Sequence, residues 1–212
     1  MDAMVFDTTD APIPLGDYVP AADQRIVMHN VAWEGYEALL ALRGDQRRPR
    51  MTYLDGAVEL MTTSEHHERI RFLLGRLLER YVIALGASFV AYGQTTYKKQ
   101  REAGLEADEC YVIGEPRNDR PDLAIEVVWT SGGISKLEVY EPLGVPEVWM
   151  WKSGVIRVHV LGDRGYEERE HSVLLPAIDL AFLASFLDRP ASARSLVDFD
   201  AALAEKLAEK LG

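Results

Sequence analysis

The segment RPDLAIEVV, Arg120 to Val128, constrains the fold most tightly. Read as a strand, it puts Leu123, Ile125 and Val127 on one face and Asp122, Ala124, Glu126 and Val128 on the other. Acids on so apolar a strand need a reason, because a buried ionised carboxylate is costly unless it is paired or bound to a metal. Asp122 and Glu126 cannot readily share one ion, since four residues along a strand separate them by about 13 Å. A partner for Glu126 has to come from the neighbouring strand.

Leu105 to Ile113 reads as that neighbour, joined through the turn-rich Gly114 to Arg120. A symmetric connection sets Asp108 opposite Glu126, Cys110 opposite Ala124 and Glu106 opposite Val128. Glu106, Asp108 and Glu126 then share one face. Two or three hard oxygen donors in such a cluster suit Mg²⁺ or Mn²⁺, with water and a backbone carbonyl completing the shell. A cation held there can activate water and neutralise charge on a phosphodiester. The competing arrangement pairs these acids with Lys98, Lys99 or Arg101 in a surface network.

Elsewhere the chain alternates helix and strand signals. Trp33 to Leu42 carries Trp33, Tyr36, Leu39 and Leu40 on one helical face. Met51 to Met61 reads as two strands around an Asp55-Gly56 turn. Ser64 offers an N-cap to the clearest helix, with Ile70, Leu73, Leu74, Leu77, Leu78, Tyr81, Val82 and Leu85 in register, and Gly86 ends it. Ser88 to Lys99 is β-like. A helix from about Ile134 to Leu143 follows the Ser131-Gly132-Gly133 break. Val145 to Trp151 and Val155 to Leu161 form a hairpin around Lys152-Ser153-Gly154. The tail ends in a helix with Phe199, Leu203, Leu207 and Leu211 at spacing four. This order predicts an α/β or α+β domain, a sheet flanked by helices. Residues 1–24, rich in Asp, Pro and Ala, read as an extended arm, and residues 25–212 as a single domain.

Composition narrows the function classes. The 212-residue chain has 23 Lys and Arg against 34 Asp and Glu, a net charge of −11, which argues against nucleic-acid binding over the whole surface and leaves room for a local basic track. Thr95, Thr96, Tyr97, Lys98, Lys99 and Arg101 form the best such stretch, a candidate for phosphate contacts. The single cysteine, Cys110, excludes an internal disulfide framework and a multi-cysteine zinc site. It reads as a small core residue. No run is long enough to span a membrane, and the acidic start lacks the features of a secretory signal, so a soluble cytoplasmic protein is expected. His67 lies beside the helix's apolar stripe, where it is either a partly buried structural histidine or a site residue. His66 is expected to face solvent, and His29, His159 and His171 show no partner pattern.

Several blocks, in order, resemble the bacterial restriction endonuclease family with Uma-type domains, within the PD-(D/E)XK nuclease superfamily. They are YLDGAVELM with SEHHERIRFLLGRLLERY, then GLEADECYV, PDLAIEVVWTS and KLEVYEPLGVPEVWMW. The likeness runs from about Met51 to Leu161. It implies a restriction-endonuclease-like core, a central mixed sheet with a helix before it and one within it. It implies Asp108 and Glu126 as the acids of two adjacent core strands, and it places His67 at the start of the first core helix. There are departures. Ala107 stands where the family usually has proline, and His66 where an acid commonly precedes the helix histidine. Val128 occupies the position of the superfamily's lysine. The family commonly offers a basic residue on the next helix instead, which here is Lys136. A lysine in the site would orient the attacking water or stabilise the pentacovalent phosphate.

The expected activity is that of a Mg²⁺- or Mn²⁺-dependent endonuclease acting on DNA phosphodiesters. Asp108, Glu126 and an assisting Glu106 hold the metal, Lys136 replaces the strand lysine, and His67 sits behind the metal or on the phosphate side. Lys98, Lys99 and Arg101 are the candidate substrate contacts. The runner-up is a non-catalytic binding or oligomerisation module with the nuclease fold, favoured by Val128 and the acidic charge. A hydrolase of another phosphodiester is the third class. Because Trp149 and Trp151 alternate with Val148 and Met150, that strand is apolar on both faces. One face needs a cover, either a second subunit, making a homo-oligomer, or the C-terminal segment.

Overall fold

The computed structural model describes residues 22–116, 120–187 and 192–209. The chain runs β1 (Gln24–Met28), α1 (Trp33–Arg43), β2 (Arg50–Leu54), β3 (Ala57–Thr62), α2 (Glu65–Ala84), β4 (Phe89–Ala91), β5 (Thr96–Lys99), β6 (Ala103–Glu106), β7 (Glu109–Ile113) and β8 (Leu123–Val127). It continues with α3 (Lys136–Leu143), β9 (Glu147–Lys152), β10 (Val155–Gly162), β11 (Gly165–Arg169), α4 (Leu180–Ala184) and α5 (Ser192–Glu209). The fold is mixed α+β.

Local chemistry accounts for the first half. Asp55 and Gly56, both at positive φ, make the tight turn that pairs β2 with β3. The Ser64 hydroxyl accepts the His67 N–H at 3.2 Å and starts α2. That helix buries Ile70, Leu73, Leu74, Leu77, Leu78, Tyr81 and Val82, its apolar stripe, against β7 and β8. Approach is close at Gly75, where a β-carbon would come within 3.0 Å of the Tyr111 hydroxyl.

Two sheets form, where a single central sheet is expected from sequence. One has the order β1-β3-β2-β6-β5 and is antiparallel throughout. The other has the order β11-β10-β9-β8-β7-β4 and is mixed, since β8 runs parallel to β9 across the α3 crossover. The reason is a bent ribbon. Ser88 to Lys99 is two strands, β4 in one sheet and β5 in the other, and Leu105 to Ile113 likewise divides into β6 and β7. The two breaks, at Tyr92–Thr95 and at Ala107–Asp108, lie side by side, joined by the Ala107 N–H to the Thr95 carbonyl at 3.4 Å and the Tyr92 N–H to the Cys110 carbonyl at 2.9 Å. Alternation alone does not register such a bend, because apolar residues continue on both sides of it.

The layers follow from this. Helices α2 and α4 cover one face of the mixed sheet, over a core that includes Tyr111, Leu123, Ile125, Val127, Trp149 and Trp151, and α5 packs on α2. Cys110, Ala124 and Val148 on its other face pack with α3 and with Ala103 and Leu105 of β6. Helix α1 packs Trp33 and Tyr36 on Tyr53 of β2. Trp149 and Trp151 are therefore buried within the chain, in the core cluster that also takes in residues of α2, α4 and α5. The apolar strand gives no reason for a second subunit. Strand β1 begins at Gln24, the last residue assigned to the arm, and β11 and α4 carry no clear periodic signal. Residues 1–21 and Leu211 lie outside the described residues. Among those described, no helix is long and apolar enough to cross a membrane.

Candidate functional site

Asp108 sits where the bent ribbon breaks. The register of β7 and β8 is the one a symmetric connection dictates, Glu109 opposite Ile125, Cys110 opposite Ala124 and Tyr111 opposite Leu123. One further step would set Asp108 against Glu126. The ladder ends there, and the Asp108 carboxylate takes over the accepting role of the backbone, receiving the Val127 N–H at 2.7 Å. The side chain is fully buried, which is tolerable only with partners.

Those partners come from β2 and α2. The Arg50 guanidinium forms an ion pair with Asp108 Oδ1. His67 Nε2 lies 3.1 Å from both carboxylate oxygens, and its Nδ1 lies 3.2 Å from Asp23 Oδ2, so the imidazole is clamped between two acids. Burial pushes the Asp23 carboxyl up, but the His67 contact and the Ser64 N–H outweigh it and hold it below its ordinary value. Arg50 also reaches Glu68 Oε1 at 2.9 Å, and Gln94, with its amide oxygen turned inward, accepts from Arg50 Nε at 3.2 Å. Burial lowers the Arg50 guanidinium from its ordinary range, while Glu68, Glu126 and Glu106 pull the other way. Arg71 ties the Asp108 carbonyl at 3.3 Å to Glu68 and Glu109.

Glu126, also buried, accepts the Tyr140 hydroxyl from α3. Burial and the adjacent carboxylate push that phenol well above its usual range, so it stays a neutral donor. Glu126 lines a cleft of about 320 Å³ together with Lys136, Glu59 and Arg25. There Lys136 Nζ donates to Thr52 Oγ1 at 2.7 Å, and Glu59, across the β2–β3 pair from Thr52, accepts the Ile134 N–H at 3.0 Å. Arg50 lines a second cleft of about 580 Å³, with Arg43, Arg47 and Arg71 in its walls beside Phe72, Tyr92, Gln94 and the acids Asp45, Glu106 and Glu109.

The structure brings Asp108 and His67 together beside Arg50, while Glu126 is bonded by Tyr140 of α3 and lines the cleft that holds Lys136. It does not bring Glu106 into that group. Glu106 ends β6 in the other sheet, opposite Thr96 and not Val128, and its carboxylate is taken by Arg43 at 2.5 Å and the Met51 N–H at 3.1 Å. Lys98, Lys99 and Arg101 lie at the β5 edge and its turn, paired with Glu37, Glu102 and Glu34 and outside both clefts. His66 stacks on Trp129, with ring centroids 5.2 Å apart, and does not simply face water. Asp122 caps the Ile113 N–H at 2.9 Å. Cys110 bonds the Gly93 carbonyl at 3.1 Å, and burial pushes its thiol up to about 11, which makes it an unreactive core residue.

Arg50, Arg71 and Asp23 are the participants that sequence reasoning misses. Arg71 carried a signal, since it stands four residues after His67 and shares its helical face. Arg50 closes a polar run that reads as loop, and Asp23 belongs to the segment read as an arm.

The family model Uma2, described as "putative restriction endonuclease", matches residues 33–187, and the chain belongs to that family. No curated protein matches. A crystal structure titled as a putative nuclease belonging to DUF820, from Anabaena variabilis ATCC 29413, is similar at 15% identity and a TM-score of 0.47, over 82% of this chain and 99% of that one.

Restriction-endonuclease-like proteins generally use divalent metals. Asp108 and Glu126 offer the hard anionic oxygens that such ions prefer, and the Asp108 carboxylate is bonded by the N–H of Val127, the residue after Glu126. The centre already holds a positive charge, the Arg50 guanidinium paired with Asp108. Among the described residues, no three His, Cys, Asp or Glu side chains form a ready coordination shell.

Proposed function

We propose that the protein is a metal-dependent nuclease that hydrolyses DNA phosphodiester bonds. The observation that supports this reading is the hydrogen bond from the Val127 N–H, next in the chain to Glu126, to the buried Asp108 carboxylate, with Glu126 lining a cleft it shares with Lys136. Asp108 and Glu126 would hold Mg²⁺ or Mn²⁺, which when bound lowers the pKa of water and offsets charge on the phosphate.

The chain's own residues do the rest. Tyr140 fixes the Glu126 carboxylate through its hydroxyl, and Val127 N–H fixes that of Asp108. His67, held by Asp23, positions Asp108 from behind. Lys136 supplies the cation that Val128 does not, and its anchor on Thr52 keeps the ammonium at the cleft wall. The arginines of the larger cleft offer a phosphate-binding track on an otherwise acidic surface, a better candidate than the β5 lysines because it adjoins Asp108 through Arg50.

The test is incubation of the purified chain with supercoiled and linear DNA and Mg²⁺ or Mn²⁺. Nicked or linear product that disappears with EDTA and with Glu126→Gln supports the proposal. DNA left intact with either metal counts against it. A second reading, a non-catalytic nucleic-acid-binding module, is favoured by one observation, that both Asp108 oxygens are engaged by Arg50, His67 and Val127. It calls for salt-dependent DNA binding without cleavage.

A further inference from the structure

We propose that Arg50 is a built-in cation that keeps the Asp108–Glu126 centre from divalent metal, and that a phosphate backbone entering the arginine-lined cleft draws it away. Metal binding and nucleic-acid binding are then coupled through one side chain. The inference rests on the nuclease reading and adds to it the regulation of that same site.

Two observations carry it. Arg50 is held by Asp108 on one side and by Glu68 at 2.9 Å on another, with Glu126 and Glu106 acting on its charge. A guanidinium and a dication cannot both sit against the same carboxylate oxygen, so Asp108 has to exchange one for the other. Arg50 is also part of the wall of the 580 Å³ cleft, with Arg43, Arg47 and Arg71. Arginine matches phosphate with the same planar fork it uses for carboxylate, so a phosphate in that cleft competes for Arg50 directly. The released Asp108 is then left with an unbalanced buried charge, which favours metal uptake. By linkage, a dication at Asp108 strengthens phosphate binding in the cleft by the same factor by which phosphate strengthens dication binding.

The experiment measures Mn²⁺ binding to the full chain by the electron-spin signal of the free ion, with no DNA present. Arg50→Met should bind Mn²⁺ about tenfold or more tightly than wild type, a difference that a modest change in interaction energy produces. Arg50→Lys, which keeps a charge and protects the fold but lacks the fork, should fall between them. Asp108→Asn placed on Arg50→Met should abolish the gain. In EDTA, Asp108→Asn alone should bind a short DNA duplex more tightly than wild type does, because Arg50 is freed. If both Arg50 variants bind Mn²⁺ no more tightly than a wild type that binds it well, the proposal is overturned and the nuclease reading survives. If neither wild type nor any Arg50 variant binds Mn²⁺ at millimolar concentration, both fall. Weaker duplex binding by Asp108→Asn in EDTA would also overturn the coupling.

Discussion

Replacing Asp108 by asparagine tests whether the buried ion pair is real. The substitution keeps the shape and one carbonyl oxygen, so the Val127 N–H, now at 2.7 Å from a carboxylate oxygen, stays satisfied. The other oxygen becomes an NH₂ facing the Arg50 guanidinium, which has no acceptor. Breaking a buried pair by removing one partner costs about 3–5 kcal/mol. Arg50 retains Glu68 at 2.9 Å, so the lower end applies, about 3 kcal/mol. For a chain of this size each kcal/mol moves the melting temperature by about 2–4 °C, giving a drop of about 6–12 °C. Asp108→Ala removes the Val127 acceptor too and should fall further, by about 1–3 kcal/mol. The assay is thermal unfolding by circular dichroism at neutral pH with EDTA and low salt. An asparagine variant that melts within about 2 °C of wild type would show that Arg50 and His67 do not hold this carboxylate, and the account of the centre would be wrong.

Four further outcomes follow from the packing. Ser64→Ala removes the cap on the His67 N–H and should cost about 1 kcal/mol, read as a small downward shift in the same melts. Asp23 and Glu68 lie below their ordinary values of 3.8 and 4.5 in the folded chain. Their stabilisation is therefore complete above those values and is lost as pH falls through the lower folded-state ones, so melts should decline on acidification below about pH 4.5, less steeply in Asp23→Asn. Phe199→Ala should cost about 3–5 kcal/mol, because the ring is fully buried among Tyr81, Phe182 and Phe186. Sedimentation of wild type should meanwhile show no association through Trp149 and Trp151, which are buried within the chain.

Much of this architecture was legible in the residues. The Asp55-Gly56 hairpin, the Ser64 cap and the α2 stripe are local, and local chemistry decides them. The β7–β8 register was legible because a symmetric connection leaves few choices, and it led to Asp108 and Glu126. The bend at Ala107–Asp108 was not, since strand alternation says nothing about which sheet a strand enters. That one break removes Glu106 from the acidic face and gives it to Arg43. Arg50 was hidden for a related reason: a basic residue ending RGDQRRPR looks solvated until β2 carries it under α2. Glu147 shows the opposite hazard. It is as buried as Glu126, but it serves Trp149, Ser172 and the N–H groups of Val173 and Leu174, a structural role that its sequence context does not separate from a catalytic one.

The central claim is that Asp108 and Glu126 form the metal centre of a nuclease, and Mn²⁺ anomalous diffraction from crystals grown with a short DNA duplex measures it directly. The account expects a peak bonded to a carboxylate oxygen of each, at the distances of about 2.0–2.2 Å that small hard dications adopt, with the Arg50 side chain turned into the arginine-lined cleft. Duplex bound without any such peak, and with Arg50 still on Asp108, would contradict it.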